Sequence, residues 1–307
     1  MWNVALSSMW AVGQFDSLAD FVPAAQSMGI QKFELNHQVD SQMLVDLDLN
    51  GCTIPSVHEP CPADISTAEL NRRHWLISAP GEENRRHGVH AVRRSIDLAQ
   101  DLGASLVVVH AGRVDVDARL ERELWDLHEA GKAATAEYAA SKERLVAARS
   151  ARAEACLDAA CRSVSELADY AAEAGVRLGL ENRYHYLDIP LLDEMASLLA
   201  AAGEERAGFL YDVGHGQTLE NLGFIEHEAW LQRYAARMVA VHLHDIKGLI
   251  DHHAAGLGEV DWDMVARYLP QGAMRTLEFR SHNTPDQVRA ALEFLAEKGC
   301  IEPPSSE

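Results

Sequence analysis

An α/β fold is predicted by three observations: a closed (β/α)8 TIM barrel with a helical insertion after the fourth strand. Short β-branched or apolar runs alternate with longer amphipathic segments along the chain. The runs number eight, the count that closes a parallel sheet on itself. No glycine-rich phosphate loop follows an early strand, which argues against the alternative of an open doubly wound sheet.

The first four strands are expected at Asn3–Leu6, Lys32–Leu35, Thr53–Val57 and Ser105–His110. The other four are expected at Arg177–Glu181, Gly208–Asp212, Met238–His244 and Thr276–Phe279. Between them the apolar spacing predicts helices such as His90–Leu102, Cys156–Ala174, Ile189–Ala202, Trp262–Leu269 and Asp286–Lys298. Gly29, Gly103, Gly175 and Gly299 stand where left-handed helix caps should fall. From Val114 to Gly175 the chain is too long for one crossover, rich in Ala, Glu and Arg, and free of proline. It predicts helices Ala118–Ala130 and Ala133–Arg149 ahead of the barrel helix. Projecting from the catalytic face, they would serve as a lid or as a hairpin for packing or dimerisation. Residues 1–300 are therefore expected to form one barrel, with 114–150 as the insertion and 301–307 as a frayed tail.

Composition narrows the class. Of 307 residues, 48% are hydrophobic and 24% charged, ample for a core and against disorder. The net charge of −20 repels a phosphate backbone. The basic clusters Arg72–Arg73, Arg85–Arg86 and Arg93–Arg94 are short and have acidic neighbours, so nucleic acid is disfavoured as a partner. No apolar run approaches the ~18 residues a membrane span needs. The start of the chain lacks the pattern of a signal peptide. The five cysteines are odd in number and form no CxxC pair, as expected of reduced thiols in a cytoplasmic protein.

Chemistry concentrates at strand ends, where a (β/α)8 barrel places its active site. The third strand ends in His58, the fourth in His110 and the fifth in Glu181. The sixth ends in Asp212, with His215 three residues later. His242, His244 and Asp245 close the seventh, and Glu278 the eighth. Each has a structural account alone. Glu181 and Glu278 have Arg183 and Arg280 two residues on as ion-pair partners, and Asp212 and His215 suit a helix cap. Six consecutive strand ends make six separate accounts harder to sustain than one shared one. Converging carboxylates repel unless a cation joins them. Two Glu, one Asp and one His, mixing O and N donors, suit a divalent metal: Mn²⁺, Co²⁺, Zn²⁺ or Mg²⁺.

The segments LEN (Leu180–Asn182), YDVGH (Tyr211–His215), HLHD (His242–Asp245), GLGEVDW (Gly256–Trp262) and LEF (Leu277–Phe279) carry a resemblance. Through them the chain resembles the xylose isomerase-like TIM-barrel superfamily, over nearly its whole length apart from the insertion. That group includes ketose 3-epimerases, hydroxypyruvate isomerases, inosose dehydratases, sugar phosphate isomerases/epimerases and apurinic endonucleases. The resemblance implies a metal quartet of Glu181, Asp212, His242 and Glu278, with Glu181 and Glu278 as the catalytic acid–base pair. It places His215 against substrate or a second metal, and His244 as an alternative ligand or a support. It places Trp10 and Glu34 in the pocket.

Epimerase-type members move a proton α to a carbonyl through an enediolate, on a small ketose, polyol or keto-acid; a dehydratase shares the first half of that reaction. Endonuclease-type members instead use several zinc ions, which would recruit His58, His110 and the Asp251, His252, His253 segment. Here Asp251 sits one residue off the expected aspartate. The loop Lys247–Ala255 also lacks the Arg that some ketose 3-epimerases use to hold the sugar. The expectation is a metal-dependent sugar isomerase or epimerase with a small carbohydrate substrate, able to form a homo-oligomer. The alternatives are a multinuclear zinc phosphoesterase and a sugar dehydratase.

Overall fold

The computed structural model describes residues 1–304 apart from Asp16 and Asp46. Residues 305–307 of the expected tail lie outside the described residues, and Ile301 at its start is buried. Eight parallel strands close into a barrel. Seven of them are β1 (Ala5–Ser7), β2 (Lys32–Leu35), β3 (Thr53–His58), β4 (Leu106–Val109), β5 (Arg177–Glu181), β6 (Ala207–Asp212) and β7 (Met238–Leu243). A hairpin of β8 (Asp245–Lys247) and β9 (Ile250–His253) intervenes before the last barrel strand, β10 (Met274–Leu277). Around the barrel the order is β1-β10-β7-β6-β5-β4-β3-β2. Strands covered on both faces read as continuous apolar runs, and LVVV of β4 is buried throughout.

The helices are α1 (Leu18–Gln26), α2 (Ser41–Leu44), α3 (Thr67–Arg72), α4 (Glu82–Leu102), α5 (Arg119–Glu129) and α6 (Ala136–Glu173). They continue with α7 (Leu192–Ala202), α8 (Val213–Asn221), α9 (His227–Tyr234), α10 (Trp262–Tyr268) and α11 (Pro285–Glu297). Helical spacing sets the buried faces: Val89, Val92, Ile96 and Ala99 on α4, and Val288, Ala291, Leu292 and Leu295 on α11. Thr284 and Gln287 form a capping box at the start of α11. Gly103 ends α4 at φ 69°, in the left-handed region where a Cβ is costly. Among the described residues no helix is long and apolar enough to cross a membrane. All five cysteines are free.

Strand alternation builds a floor for the site. Val108, Leu210 and Ala240 stand two residues below His110, Asp212 and His242, and with Leu106 they form a buried apolar cluster.

Three features depart from the sequence reading. The second insertion helix and the barrel helix are one continuous α6 of 38 residues, about 57 Å long at ~1.5 Å per residue. No glycine or proline interrupts Ala136–Glu173, and its alanines favour helix throughout. The last barrel strand stops at Leu277, so Glu278 and Phe279 follow it. The loop after β7 is not plain coil but the β8–β9 hairpin.

Candidate metal centre

Four neighbouring strands of the barrel, β5, β6, β7 and β10, deliver Glu181, Asp212, His242 and Glu278 to one point. Register sets Asp212 opposite His242 on one side and Thr276 opposite it on the other. Glu278, two residues past Thr276, turns to the same interior. One ligand atom from each of the four lies within 4.8 Å of the others, and all four side chains are buried. His242 Nδ1 is 3.1 Å from Glu181 Oε1, 2.9 Å from Glu278 Oε2 and 3.6 Å from Asp212 Oδ2.

This donor set fits a divalent cation. Three buried carboxylates at such range repel strongly unless a cation joins them. Glu181 Oε1 and His242 Nδ1 are buried and close, yet neither makes a hydrogen bond, although buried polar atoms are almost always paired. Behind the ring, His242 Nε2 lies 3.1 Å from Glu34 Oε1, and Ser56 Oγ donates to Glu34 Oε2 at 2.7 Å. Against the cost of burial, the surrounding Glu278 and Glu34 carboxylates raise the His242 imidazole well above its ordinary range. A proton kept on Nε2 toward Glu34 is the tautomer that would leave the Nδ1 lone pair for a metal. Burial pushes the Glu278 carboxyl up to about 7. Glu181 is equally buried, but Arg183 and His110 hold its carboxyl well below the usual range. Two carboxylates are thus driven apart in acidity within one site.

Neighbouring residues account for the motifs. Asn182 and Asp212 exchange two hydrogen bonds, Asn182 Nδ2 to Asp212 O at 2.9 Å and Asp212 N to Asn182 Oδ1 at 2.7 Å, stitching β5 to β6. Asp212 also caps α8, accepting from His215 N at 2.7 Å. His244 Nε2 lies 2.9 and 3.0 Å from the two Asp212 oxygens, so His244 supports Asp212 while His242 faces the centre. Gly214 makes room for that ring: a Cβ there would fall 2.1 Å from His244 Cε1. Asp245 is buried and accepts from Ile246 N (3.0 Å), Gly256 N (2.9 Å), Val260 N (3.1 Å) and Trp262 Nε1 (3.0 Å). GLGEVDW is therefore the loop that wraps this carboxylate.

Three further groups of potential ligands adjoin the quartet: His58, His110 and Glu181; His58 with His242 and Glu278 of the quartet itself; and His215, His244 and His252. His215 Nδ1 donates to Asn182 O at 2.9 Å, and His252 Nδ1 to Glu278 O at 2.9 Å. Burial pushes both the His58 and His252 imidazoles well below their ordinary range, so both rings are neutral. A cavity of about 330 Å³ opens above, lined by His37, His58, His110, Arg183, Tyr184 and Arg280 among others.

Other expected positions differ. Trp10 lies in the core rather than on the cavity wall: it is fully buried, and its indole N–H donates to Asn283 O at 2.7 Å. Its neighbours Met9 and Val12 line the cavity instead. Glu34 sits behind His242 and is not among the cavity residues. His252, at φ 58°, turns inward, whereas His253 turns out to pair with His282 at 3.2 Å. Asp251 stays buried against Arg280, 2.9 Å away, so Arg280 pairs with Asp251 rather than with Glu278. His37 and Tyr184 were not among the expected residues; His37 follows the second strand by two residues in FELNH, a signal close to that of His58 at the end of β3.

The insertion braces this wall. Glu121 of α5 lies 3.0 Å from His185 Nδ1 and accepts from Leu187 N at 3.2 Å, and Trp125 stacks on His185. Arg149 of α6 donates to both Glu194 oxygens at 2.7 Å and to Asp188 O at 2.9 Å. Segment 182–191, which carries Arg183 and Tyr184, is thereby clamped from both insertion helices. Glu121→Ala is expected to raise the hydrogen-exchange rate of the Leu187 amide by about tenfold, from loss of roughly 1.5 kcal/mol; an unchanged rate would refute the brace.

Fold and site together define a class: a closed (β/α)8 barrel with imidazoles and carboxylates crowded at the carboxyl ends of its strands. The sequence pattern of the xylose isomerase-like TIM barrel family matches residues 24–298, and the chain belongs to that family. The uncharacterized protein MJ1311 of Methanocaldococcus jannaschii is 24% identical over 253 residues, which span 79% of this chain and 71% of that one. A solved D-tagatose 3-epimerase-like protein superposes with TM-score 0.64 at 20% identity, covering 96% of each chain. The IOLI protein, solved with a bound zinc atom, superposes with TM-score 0.65 at 12% identity, covering 97% of this chain and 98% of that one.

Proposed function

We propose that the chain is a divalent-metal-dependent sugar isomerase or epimerase that moves a proton α to a carbonyl of a small ketose, polyol or keto-acid. The observation that carries this is the pair Glu181 and Glu278, which line the cavity and converge at 3.1 and 2.9 Å on one imidazole nitrogen, Nδ1 of His242. Glu181, Asp212, His242 and Glu278 would hold the metal, which when bound supplies a positive charge for adjacent substrate oxygens and for the enediolate. Glu181, kept ionised by Arg183, takes the proton from the carbon α to the carbonyl. Glu278 returns a proton on the opposite face or at the neighbouring carbon. Arg183 presents N–H donors to substrate hydroxyls, His215, whose Nδ1 proton is given to Asn182 O, presents an acceptor at Nε2, and His37 and His58 line the same cavity. The name of the D-tagatose 3-epimerase-like neighbour and the zinc in the IOLI protein agree with this reading.

The test is solvent exchange. Protein stripped with a chelator and reloaded with Mn²⁺, Co²⁺, Zn²⁺ or Mg²⁺ is incubated in D2O with a panel of ketoses and keto-acids. Deuterium should enter α to the carbonyl only in the reloaded protein. The flanking histidine groups favour a second reading, a multinuclear zinc phosphoesterase. No exchange across the panel, with hydrolysis of a simple phosphate ester, would establish that reading instead.

A further inference from the structure

We infer that Arg183 fills the seat of a second cation with its own guanidinium, leaving the barrel one metal ion short of what its ligand groups would hold. The inference rests on the metal-centre reading above and extends it.

The seat is the group His58, His110 and Glu181, whose ligand atoms lie within 4.8 Å of one another and which shares Glu181 with the quartet. Its parts are held for convergence. His58 Nδ1 donates to Glu59 O at 3.0 Å, so the other nitrogen, Nε2, carries the lone pair. Glu59 Oε1 accepts from His110 N at 2.9 Å, and the two imidazole rings stand 4.5 Å apart. Three protein donors with an open fourth side is the arrangement of a catalytic zinc site.

Arg183 already occupies it. Its Nη1 donates to His110 Nε2 at 2.6 Å and to Glu181 Oε2 at 2.5 Å, and those two acceptors are 2.7 Å apart. Its Nε lies 3.4 Å from Asp188 Oδ2. A guanidinium has no acceptor, so the 2.6 Å contact is a hydrogen bond when His110 Nε2 carries its lone pair, the same lone pair that a metal would take. A zinc ion bonded to His110 Nε2 would need the lone pair that Nη1 engages and would set a second cation against the guanidinium. The guanidinium and a metal therefore exclude each other.

The exchange has a chemical consequence. An arginine keeps its charge at every working pH and cannot be drawn off by a chelator. It neutralises the outer oxygen of Glu181 while pointing N–H groups, not an open coordination position, at the substrate. Phosphoester hydrolysis with paired metals ~3.5–4 Å apart loses one of its metals at this seat, and proton transfer beside a single metal does not need it. Arg183 is in these terms a specificity-determining residue.

The test counts zinc. Wild type, Arg183→Ala and Arg183→Ala/His58→Ala are stripped, reloaded with Zn²⁺, dialysed and measured by inductively coupled plasma mass spectrometry. Arg183→Ala should hold one zinc more per chain than wild type, and the double variant should return to the wild-type count. Should Arg183→Ala fail to fold, His110→Ala alone still decides, because His110 belongs to no other ligand group and its loss should leave the wild-type count unchanged. Loss of one zinc in His110→Ala, or equal counts in wild type and folded Arg183→Ala, overturns the inference while the metal centre stands. A wild type that takes up no zinc overturns the metal centre and the inference with it.

Discussion

Glu181→Gln and Glu278→Gln are each expected to lower turnover by about 10³-fold or more while leaving the barrel folded. Positioned acid–base groups contribute roughly 10²–10⁴-fold, and each amide also removes a charged donor from the centre. Neither change should unfold the chain, because the amide preserves shape and relieves crowding among the buried carboxyls, and Arg183 keeps Asp188 as a partner when Glu181 is neutralised. Deuterium incorporation, thermal unfolding and metal content are measured on the same preparations. A variant that keeps its metal but loses exchange isolates the proton-transfer role. Activity retained in both variants would sink the acid–base assignment.

Asp245→Ala is expected to cost about 4 kcal/mol of stability, since each buried donor left unsatisfied costs roughly 1–3 kcal/mol. Four donors depend on this carboxylate, three of them backbone N–H groups in the loop that follows the β8–β9 hairpin or in the hairpin itself. At roughly 2–4 °C per kcal/mol for a chain of this size, the melting temperature should fall by about 10 °C. Asp245→Asn, which keeps one acceptor oxygen, should lose about half as much. Coincident unfolding transitions for wild type and Asp245→Ala would mean that the loop is held by packing alone.

All eight barrel strands were legible because parallel strands buried on both faces are apolar runs, and strands that short can hardly be anything else between glycine-capped helices. Polar residues that break such runs at their ends, His58, Glu181, Asp212 and His242, were legible for the same reason. What escaped the sequence obeys non-local rules. Helix α8 is buried on every side at Val213–Leu219, so it shows no amphipathic period. The boundary expected near Arg149 is absent because nothing in an alanine-rich stretch marks one. His252 and His253, expected to act together, are sent to opposite sides by a single backbone angle, φ 58° at His252, which the Asn283 side chain and Arg280 backbone hold by bonding to His252 O. Trp10 carries a polar handle like a pocket residue, and only the position of Asn283, far along the chain, shows where it bonds.

Because α6 runs unbroken from the tip of the insertion to the flank of β5, the turn at its start is a handle on the barrel. Residues 130–137 are all exposed, and Gly131 sits at φ 72° at the apex. A fluorophore or spin label placed there rides on one rod rather than on a hinge, so its orientation reports that of the barrel. A peptide or reporter domain inserted at Ala133 would sit in an exposed turn and sever no strand. The same rod makes the turn a natural anchor for surface immobilisation with the substrate entrance held at a fixed angle.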